Sequence, residues 1–569
     1  MSVHQWFFLF FIIGATAQAQ WQSTTYALKG GYNSIYLHGA ATHATMEQLF
    51  PNSGDTANVQ EVWRWNPNPT QVQFTTTPLL PTQGTPEWSV WVRGGGANTL
   101  PNLTGPAAYL VKCAGTSSNT YNVPIVHKPA PPSSTWVRNG ANFLGFPSRL
   151  NGNYPFFSTY FATFPAAIAT NSKIYKYVGG DLSASNPIQV FSPSAERLDR
   201  NQAYWFESEV VGNFYAPVHV TLSLTGGLDF GRNGSIVTAR VLNRTASVMT
   251  LTIAPVASNA APAGQEAITG PVPLTRRTFN TGTAAWEETP IATAYNEVIA
   301  PQSAVELSFG IDRVAMGGTA DALFASMLRL TDAANLFDIL IPATARKTSL
   351  AGLWIGEARV TAVESKAQAD AITPASRPFP LRYLLHVADN GTARVLSQVF
   401  LGQLAAAPHD FGICTKEAGL KADAKDKAAR IVATHMPLDR VLTTGTGSVA
   451  IPGTLTRTIT VPFDDPVNPF VHQYHPDHDN KSPTGAALIA GKESHAVTRE
   501  VTFTFTTAPP EGSTATGGWG SAVIGGTYAE VIHGLHKDSA GVGTGDGLHL
   551  TGVFELRRVS ELGAISVTP

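Results

Sequence analysis

The chain has 569 residues, and its 38 Lys and Arg against 40 Asp and Glu give a formal net charge of −2 at pH 7. This balance excludes binding to nucleic acid or to an anionic membrane through bulk positive charge. Hydrophobic residues make up 43 % of the chain, so disorder driven by charge is excluded as well. The 51 glycines and 39 prolines favour short strands joined by turns, and the length predicts several domains.

Residues 1–19 have the pattern of a secretory signal peptide. An apolar stretch covers residues 6–13, and Ala17-Gln18-Ala19 forms the small-residue cleavage pattern. We therefore expect a mature chain that begins near Gln20 and is secreted or held at the cell surface. The alternative is a buried N-terminal strand. No later segment reaches the roughly 18 apolar residues that span a bilayer, so no transmembrane helix is expected in the mature chain.

The chain has only two cysteines, Cys113 and Cys414, which lie far apart in the sequence. This count excludes a framework of disulfides. Each cysteine is more readily interpreted as a small buried hydrophobic residue than as half of an interdomain bridge. Stability must then come from the size of the hydrophobic cores.

Residues 20–128 and 129–221 are predicted to be two related β-rich modules, repeat module 1 and repeat module 2. Four landmarks recur in the same order, which favours a duplication with length differences in the loops. Thr45 and Gln48 have the spacing of a capping box at the start of a short helix. The first two recurring landmarks are Gly31-Tyr32-Asn33 with Gly140-Ala141-Asn142, and Phe50-Pro51 with Phe164-Pro165; the other two are Val62–Trp65 with Ile174–Tyr177, and Ala108–Leu110 with Ala203–Trp205.

Aromatic residues recur at matching positions of the two modules, and they can be interpreted in two ways. They are Trp63 and Trp65 in module 1 and Tyr175 and Tyr177 in module 2. Strand alternation places Trp63 and Trp65 on one face. If that face is exposed, the aromatic residues form a ligand-binding platform for sugar rings or peptides. If it faces inward, they are duplicated core packing, which the recurrence favours.

Residues 222–346 show short strands with regularly spaced turns, which predicts an antiparallel sandwich. The opening Leu228-Asp229-Phe230-Gly231 and the closing 325–332 strand resemble immunoglobulin-like modules of the abnormal-spindle and hydin type. The resemblance implies an immunoglobulin-like spacer or protein-binding unit. It brings no catalytic residue.

Residues 350–569 are predicted to form a larger antiparallel β module, either a barrel or a sandwich, with one inserted helix. Alternation in 455–461 and 501–506 predicts strands, and charged pairs at i,i+4 predict a helix over 415–434. The Gly-x-Trp opening at Gly352 resembles that of lipocalin-like barrels in shape only. The predicted fold class is thus mainly all-β, with tandem sandwich-like modules, an immunoglobulin-like sandwich and this C-terminal module.

Histidines are concentrated in the C-terminal module, where seven of the 15 lie between residues 472 and 549. Imidazoles and carboxylates at this spacing can hold Zn²⁺, and Ca²⁺ is a weaker alternative because no EF-hand glycine or distal glutamate is present. The competing interpretation is a polar loop with solvated or packed histidines, in which case no cofactor is required. The candidate metal ligands are His472, His475, Asp477, His478, Asp479 and His536.

The C-terminal module also resembles an uncharacterised region of secreted bacterial multi-domain β proteins. The resemblance rests on 352–356, 475–480 and 534–537, and it implies export without implying an activity. No complete catalytic motif occurs in the chain. The leading hypothesis is therefore a secreted or cell-surface protein that acts in binding, adhesion or structural display, with a polysaccharide or surface protein as partner. The alternative is a secreted metal-dependent hydrolase that uses the 472–479 cluster.

Overall fold

The fold is almost entirely β, as the sequence predicts. A computed structural model describes residues 20–66, 81–138, 140–149, 153–183, 185–365, 373–398, 402–404, 429–431, 442–462, 496–513, 517–533 and 547–564. Within these residues the α-helices are two four-residue turns, and no helix is long and apolar enough to cross a membrane. The chain divides into two compact units: unit 1 comprises 1–311 and 316–347, and unit 2 comprises 312–315 and 348–569.

Repeat module 1 consists of two sheets around a shared core. One has the order β1-β7-β3 and the other β2-β6-β4-β5; side chains from both meet in one apolar cluster that includes Tyr26, Ile35 and Val123. Helix α1 (Met46–Leu49) begins with the predicted capping box, in which the Thr45 side chain and the Gln48 backbone N–H are paired. The strands are β1 Gln22–Lys29, β2 Gly31–Leu37, β3 Gly39–Ala40, β4 Val59–Trp65, β5 Trp88–Val92, β6 Ala107–Cys113 and β7 Thr120–Pro129.

Repeat module 2 has a four-stranded sheet in the order β10-β9-β11-β8. Read in the opposite direction, the order is β8-β11-β9-β10. These strands follow one another along the chain in the same way as those of the β2-β6-β4-β5 sheet of module 1. Asn33 and Asn142 also make matching contacts: each side-chain amide bonds a backbone N–H and C=O shortly before it, at Lys29 and Val137 respectively. The elements are β8 Gly140–Leu144, α2 Phe157–Tyr160, β9 Lys173–Lys176, β10 Ile188–Gln189 and β11 Tyr204–Ser208.

The third part of unit 1 is a two-sheet sandwich whose strands pair mainly antiparallel; the parallel pairs are β13 with β22 and β16 with β21. Its sheets have the orders β12-β14-β20-β17-β18 and β13-β22-β21-β15-β19, with β16 beside β21. Their inner faces share one core, which continues into the aromatic core of module 2. The strands are β12 Val218–Leu222, β13 Leu228–Asp229, β14 Ile236–Asn243, β15 Met249–Ala257, β16 Ile268–Gly270, β17 Leu274–Asn280, β18 Ala285–Pro290, β19 Tyr295–Ile299, β20 Ala304–Ile311, β21 Leu323–Asp332 and β22 Asp338–Arg346.

Unit 2 is built on one eight-stranded sheet, in the order β25-β24-β23-β32-β31-β30-β29-β28. The sheet curls, and one of its faces encloses a core of apolar side chains. The buried Arg457, which alternation places on the inner face, donates to the carbonyl oxygen of Ala393 and so links β29 to β25 across the curl. The strands are β23 Gly352–Ser365, β24 Thr373–Val387, β25 Ala393–Gln398, β26 Gly402–Leu404, β27 Ala429–Ile431, β28 Leu442–Thr444, β29 Gly453–Val461, β30 Val497–Phe505, β31 Val523–His533 and β32 Gly547–Ser560.

The helix predicted over 415–434 is wrong for the part that the structure describes. Ala429–Ile431 form a strand that pairs with Gly402–Leu404. The rest of the predicted helix lies outside the described residues. The prediction rested on i,i+4 charge pairs, each worth only about 0.2–0.5 kcal/mol, which is too little to hold these residues helical against pairing with another strand.

Buried histidines in module 1 predict a loss of stability in acid. His127 is 0 % exposed and bonds the Thr24 hydroxyl through Nε2; burial first, then Arg200 and His43, lower its pKa to about 4. Between roughly pH 6.5 and 4, the His127 imidazole is therefore protonated in the unfolded chain but stays neutral in the folded chain. Stability is fully present above pH 6.5 and falls by about 3 kcal/mol as the pH drops through this window, at about 1.4 kcal/mol per pKa unit.

His127→Gln keeps an amide for Thr24 and removes the titration. We expect urea unfolding of unit 1 to show a smaller loss between pH 7 and 4.5 in this variant than in the wild type. The remaining loss is expected because burial also holds the pKa of His38 well below its usual range. Identical pH dependence in the two proteins would contradict this assignment.

Candidate functional site

The predicted metal ligands lie outside the described residues. His472, His475, Asp477, His478 and Asp479 fall within 463–495, and His536 falls within 534–546. In the part of the chain that is described, no group of three or more His, Cys, Asp or Glu side chains could hold a metal ion. The predicted metal site therefore stays a prediction.

The matched aromatic residues form the contact between the two repeat modules. Trp63 and Trp65 are each 5 % exposed and Tyr177 is 2 % exposed, whereas Tyr175 is partly buried beside them. Trp205 of module 2 lies 5.3 Å from Trp65 between ring centroids. A ligand could stack on the Trp63 and Trp65 rings only if the two modules separated.

An open cleft of about 450 Å³ lies in unit 1. One wall is the segment 153–159 of module 2, which pairs through its backbone with 193–198: Phe157 N–H donates to Glu196 O, and Leu198 N–H to Pro155 O. The other wall is the turn that joins β21 to β22. The lining residues are Arg149, Asn153, Tyr154, Pro155, Phe156, Thr159, Arg197, Ala334, Asn335 and Leu336.

Arg197 is held against the first wall by its neighbours. Its guanidinium lies 4.5 Å above the Phe156 ring and donates from Nη1 to the backbone oxygen of Tyr154. These contacts fix the direction of the side chain because the planar cation stacks on an aromatic face. A guanidinium has five N–H donors, so Arg197 keeps donors for a ligand.

Arg149 joins the two walls of the cleft. Its Nη1 donates to the Asn335 side-chain oxygen and, at 3.4 Å, to the backbone oxygen of Asp332. Asn335 has φ = +60°, a left-handed conformation that asparagine tolerates better than most residues. The buried carboxylate of Asp332 accepts from the backbone N–H groups of Leu336 and Phe337 and shapes the same turn.

A buried arginine links the chain segments next to the two walls of the cleft. Arg200 is 5 % exposed, and its Nη1 donates to the backbone oxygens of Ser148 and Asp338. Ser148 directly precedes Arg149, and Asp338 begins β22 just after the second wall. Arg200 therefore ties together the segments that carry both walls.

The chemistry of the lining is suited to binding an anion rather than to acid–base catalysis. Among the lining residues that the structure describes, none carries a carboxylate, imidazole or thiol. Burial, followed by the charge of Asp199, raises the pKa of Tyr154, so its phenol stays protonated at neutral pH and can donate a hydrogen bond. The site thus offers two guanidinium groups, a phenol, two amides and a hydroxyl.

Sequence reasoning does not identify this cleft. Its residues come from three places, 149–159, 197 and 334–336, which are brought together only by the pairing of module 2 with the sandwich. The one local signal is the alternation of polar and aromatic residues in Asn153-Tyr154-Pro155-Phe156. That signal does not distinguish a ligand-binding wall from an ordinary turn.

Comparisons with known proteins give no functional argument. No family model matches the chain, and no characterised protein matches its sequence. Among solved structures the chain is similar to the Pseudomonas aeruginosa CupB2 chaperone, with 11 % identity and a TM-score of 0.15 over 31 % of this chain and 98 % of that chain. It is also similar to the E. coli chaperone DraB, with 9 % identity and a TM-score of 0.14 over 32 % of this chain and 95 % of that chain. At these TM-scores neither similarity bears on what the chain does.

Proposed function

We propose that this chain is an exported multi-domain β protein that binds an acidic polysaccharide non-covalently in the cleft of unit 1. The observation that carries the proposal is the pair of arginines, Arg149 and Arg197, in a concave site whose described lining residues include no carboxylate. Export is supported by the signal-peptide pattern of residues 1–19. The corresponding strand orders of the two modules support their origin by duplication.

The charge of the site selects an anionic ligand. Each arginine uses only Nη1 in the hydrogen bonds made to described residues, so the other donors of each guanidinium can face a carboxylate. Arginine binds carboxylates through parallel N–H donors, and such charge-assisted bonds are about twice as strong as neutral ones. A neutral ligand would leave this capacity unused.

The remaining lining favours sugar rings over a peptide. Tyr154 and Phe156 supply flat apolar surface, while Asn153, Thr159 and Asn335 supply amide and hydroxyl groups around it. A sugar ring has an apolar C–H face and a rim of hydroxyl groups, and it needs this combination of ring faces and polar groups. A peptide anchored by large side chains would need deeper apolar pockets.

Binding is expected to depend on Arg197. Arg197→Gln should weaken binding to an immobilised polyuronate at least about tenfold, because a hydrogen bond to a charged group contributes about 1.5–3 kcal/mol. Arg149→Gln should act in the same direction. Surface plasmon resonance on purified protein measures the change.

The matched control is Arg240→Gln, which removes the same charge from an exposed position on β14. This variant should bind the polyuronate as the wild type does. An equal loss in Arg240→Gln and Arg197→Gln would mean that net charge alone drives binding. Wild-type affinity in both cleft variants would show that the cleft is not the site.

A further inference from the structure

Strand β18 is an edge strand with no second neighbour among the described residues. It ends the five-stranded sheet and pairs, among the described residues, only with β17. All six of its residues, Ala285–Pro290, are exposed. An edge strand presents unpaired backbone N–H and C=O groups to any extended segment that meets it.

Two large hydrophobic side chains mark the same hairpin. Phe279 and Trp286 lie opposite each other on β17 and β18; they are 49 % and 47 % exposed, and their ring centroids are 5.3 Å apart. The Arg277 guanidinium lies 4.2 Å above the indole. This contact orders Trp286 without burying it, so the hairpin presents a fixed aromatic surface beside its open edge.

The charge of the edge disfavours pairing with a second copy of the chain. Suppose that β18 pairs over its whole length with the β18 of a second copy, in an antiparallel register related by a two-fold axis. Glu287 of each copy would then lie opposite Glu288 of the other, so two pairs of carboxylates would face each other. Like charges directly opposite each other destabilise a strand pair. The two carboxylates are consecutive, so they lie on opposite faces of the strand, and an added strand with two consecutive basic residues would meet both.

We infer that the β17–β18 hairpin docks an extended polypeptide segment that carries consecutive basic residues and adds to the sheet beside β18. Backbone pairing along the edge supplies affinity, as in other strand additions. Glu287, which accepts a hydrogen bond from the neutral Asn280 amide, is the main selector of a basic residue. Glu288, 3.9 Å from the Arg277 guanidinium, adds negative charge on the other face. Phe279 and Trp286 cover the apolar neighbours of these residues on one face.

The probe is a fluorescein-labelled hexapeptide, Thr-Val-Lys-Lys-Val-Thr, compared with Thr-Val-Glu-Glu-Val-Thr. Fluorescence anisotropy with the full-length mature protein should show at least tenfold tighter binding of the basic peptide. Hydrogen exchange followed by mass spectrometry should show new protection at 285–290 when the basic peptide is bound. Both Trp286→Ser and Glu287→Lys should weaken its binding at least fivefold.

Val248→Ser, at an exposed position elsewhere in the sandwich, should leave peptide binding unchanged, and so should Arg197→Gln. The second control separates this surface from the polysaccharide cleft. Equal affinity for the two peptides, or no protection at 285–290, would overturn the inference. A dimer that Trp286→Ser dissociates would replace the peptide with a second copy, and tight binding of a neutral oligosaccharide at Trp286 would replace it with a sugar; either outcome would overturn the inference.

Discussion

Replacing Glu530 with glutamine is expected to destabilise unit 2 by about 3–5 kcal/mol, the usual cost of leaving one member of a buried ion pair without its partner. Arg499 and Glu530 lie inside the curled sheet with side chains 4 % and 0 % exposed. Arg499 Nε donates to Glu530, and Arg499 Nη2 donates to the Tyr383 hydroxyl at 3.1 Å. The Tyr528 hydroxyl donates to the same carboxylate.

The structure explains why the loss should be large. Burial opposes the charge of Arg499, but the charge and hydrogen bond of the Glu530 carboxylate, with the neighbouring Tyr383 and Tyr528, together outweigh burial and raise the pKa of the guanidinium. Without that carboxylate the cation stays in a buried core and loses the negative charge that favours its ionised form. Chemical denaturation followed by tryptophan fluorescence measures the change in the free energy of unfolding.

Two further variants make this prediction specific. The double variant Arg499→Met/Glu530→Leu should be more stable than Glu530→Gln, because removing both charges leaves no unpaired ion. Arg557→Gln removes a partly exposed ion pair with Glu555 and should cost no more than about 1 kcal/mol. If Glu530→Gln cost no more than Arg557→Gln, the buried pair would have no special role.

Replacing Trp205 with alanine is expected to destabilise unit 1 by about 3–5 kcal/mol, the usual range for deleting a buried indole. Trp205 is 2 % exposed, stacks on Phe143 at 4.6 Å and lies within about 6 Å of Trp65 and Trp88 between ring centroids. Its deletion leaves a cavity where the sheets of the two repeat modules meet. The backbone on both sides is fixed in sheets, so the cavity cannot collapse cheaply.

Trp205→Phe should recover part of this loss because it keeps the stack on Phe143. Phe191→Ala is the control, since that side chain is 83 % exposed and surface substitutions change stability by no more than about 0.5 kcal/mol. Urea unfolding measures all three variants. A loss below about 1 kcal/mol for Trp205→Ala would contradict the assignment of this contact as a principal core of unit 1.

Alternation carried most of what the sequence predicts correctly about the fold. It places Leu455 and Arg457 on one face of β29, and both are buried inside the curled sheet. In β30 the same alternation puts Arg499 on the buried face with Val501. A buried arginine needs a charged partner, so the pattern could have indicated the buried ion pair. The capping box at Thr45 was also predictable from the sequence, because it needs only a side chain and a backbone N–H three residues apart.

The cleft could not be predicted because its geometry is set by long-range pairing. Arg149 and Asn335 are 186 positions apart and meet only because module 2 pairs with the sandwich at Ser148 and Phe337. For the same reason, the sequence alone does not decide whether the face that carries Trp63 and Trp65 is exposed or points inward. Alternation puts Trp63 and Trp65 together, but only the tertiary structure places Trp205 against Trp65.

Calorimetry with polygalacturonate, and with the same polymer after its carboxylates are reduced to alcohols, tests the central claim most directly. The two polymers share ring geometry and linkage, so they differ only in the group that Arg149 and Arg197 are proposed to bind. We expect the native polymer to bind at least tenfold more tightly, and we expect Arg197→Gln to remove most of that difference. Equal affinity for the two polymers, or a preference for the carboxylate that survives Arg197→Gln and Arg149→Gln together, would contradict the proposed function.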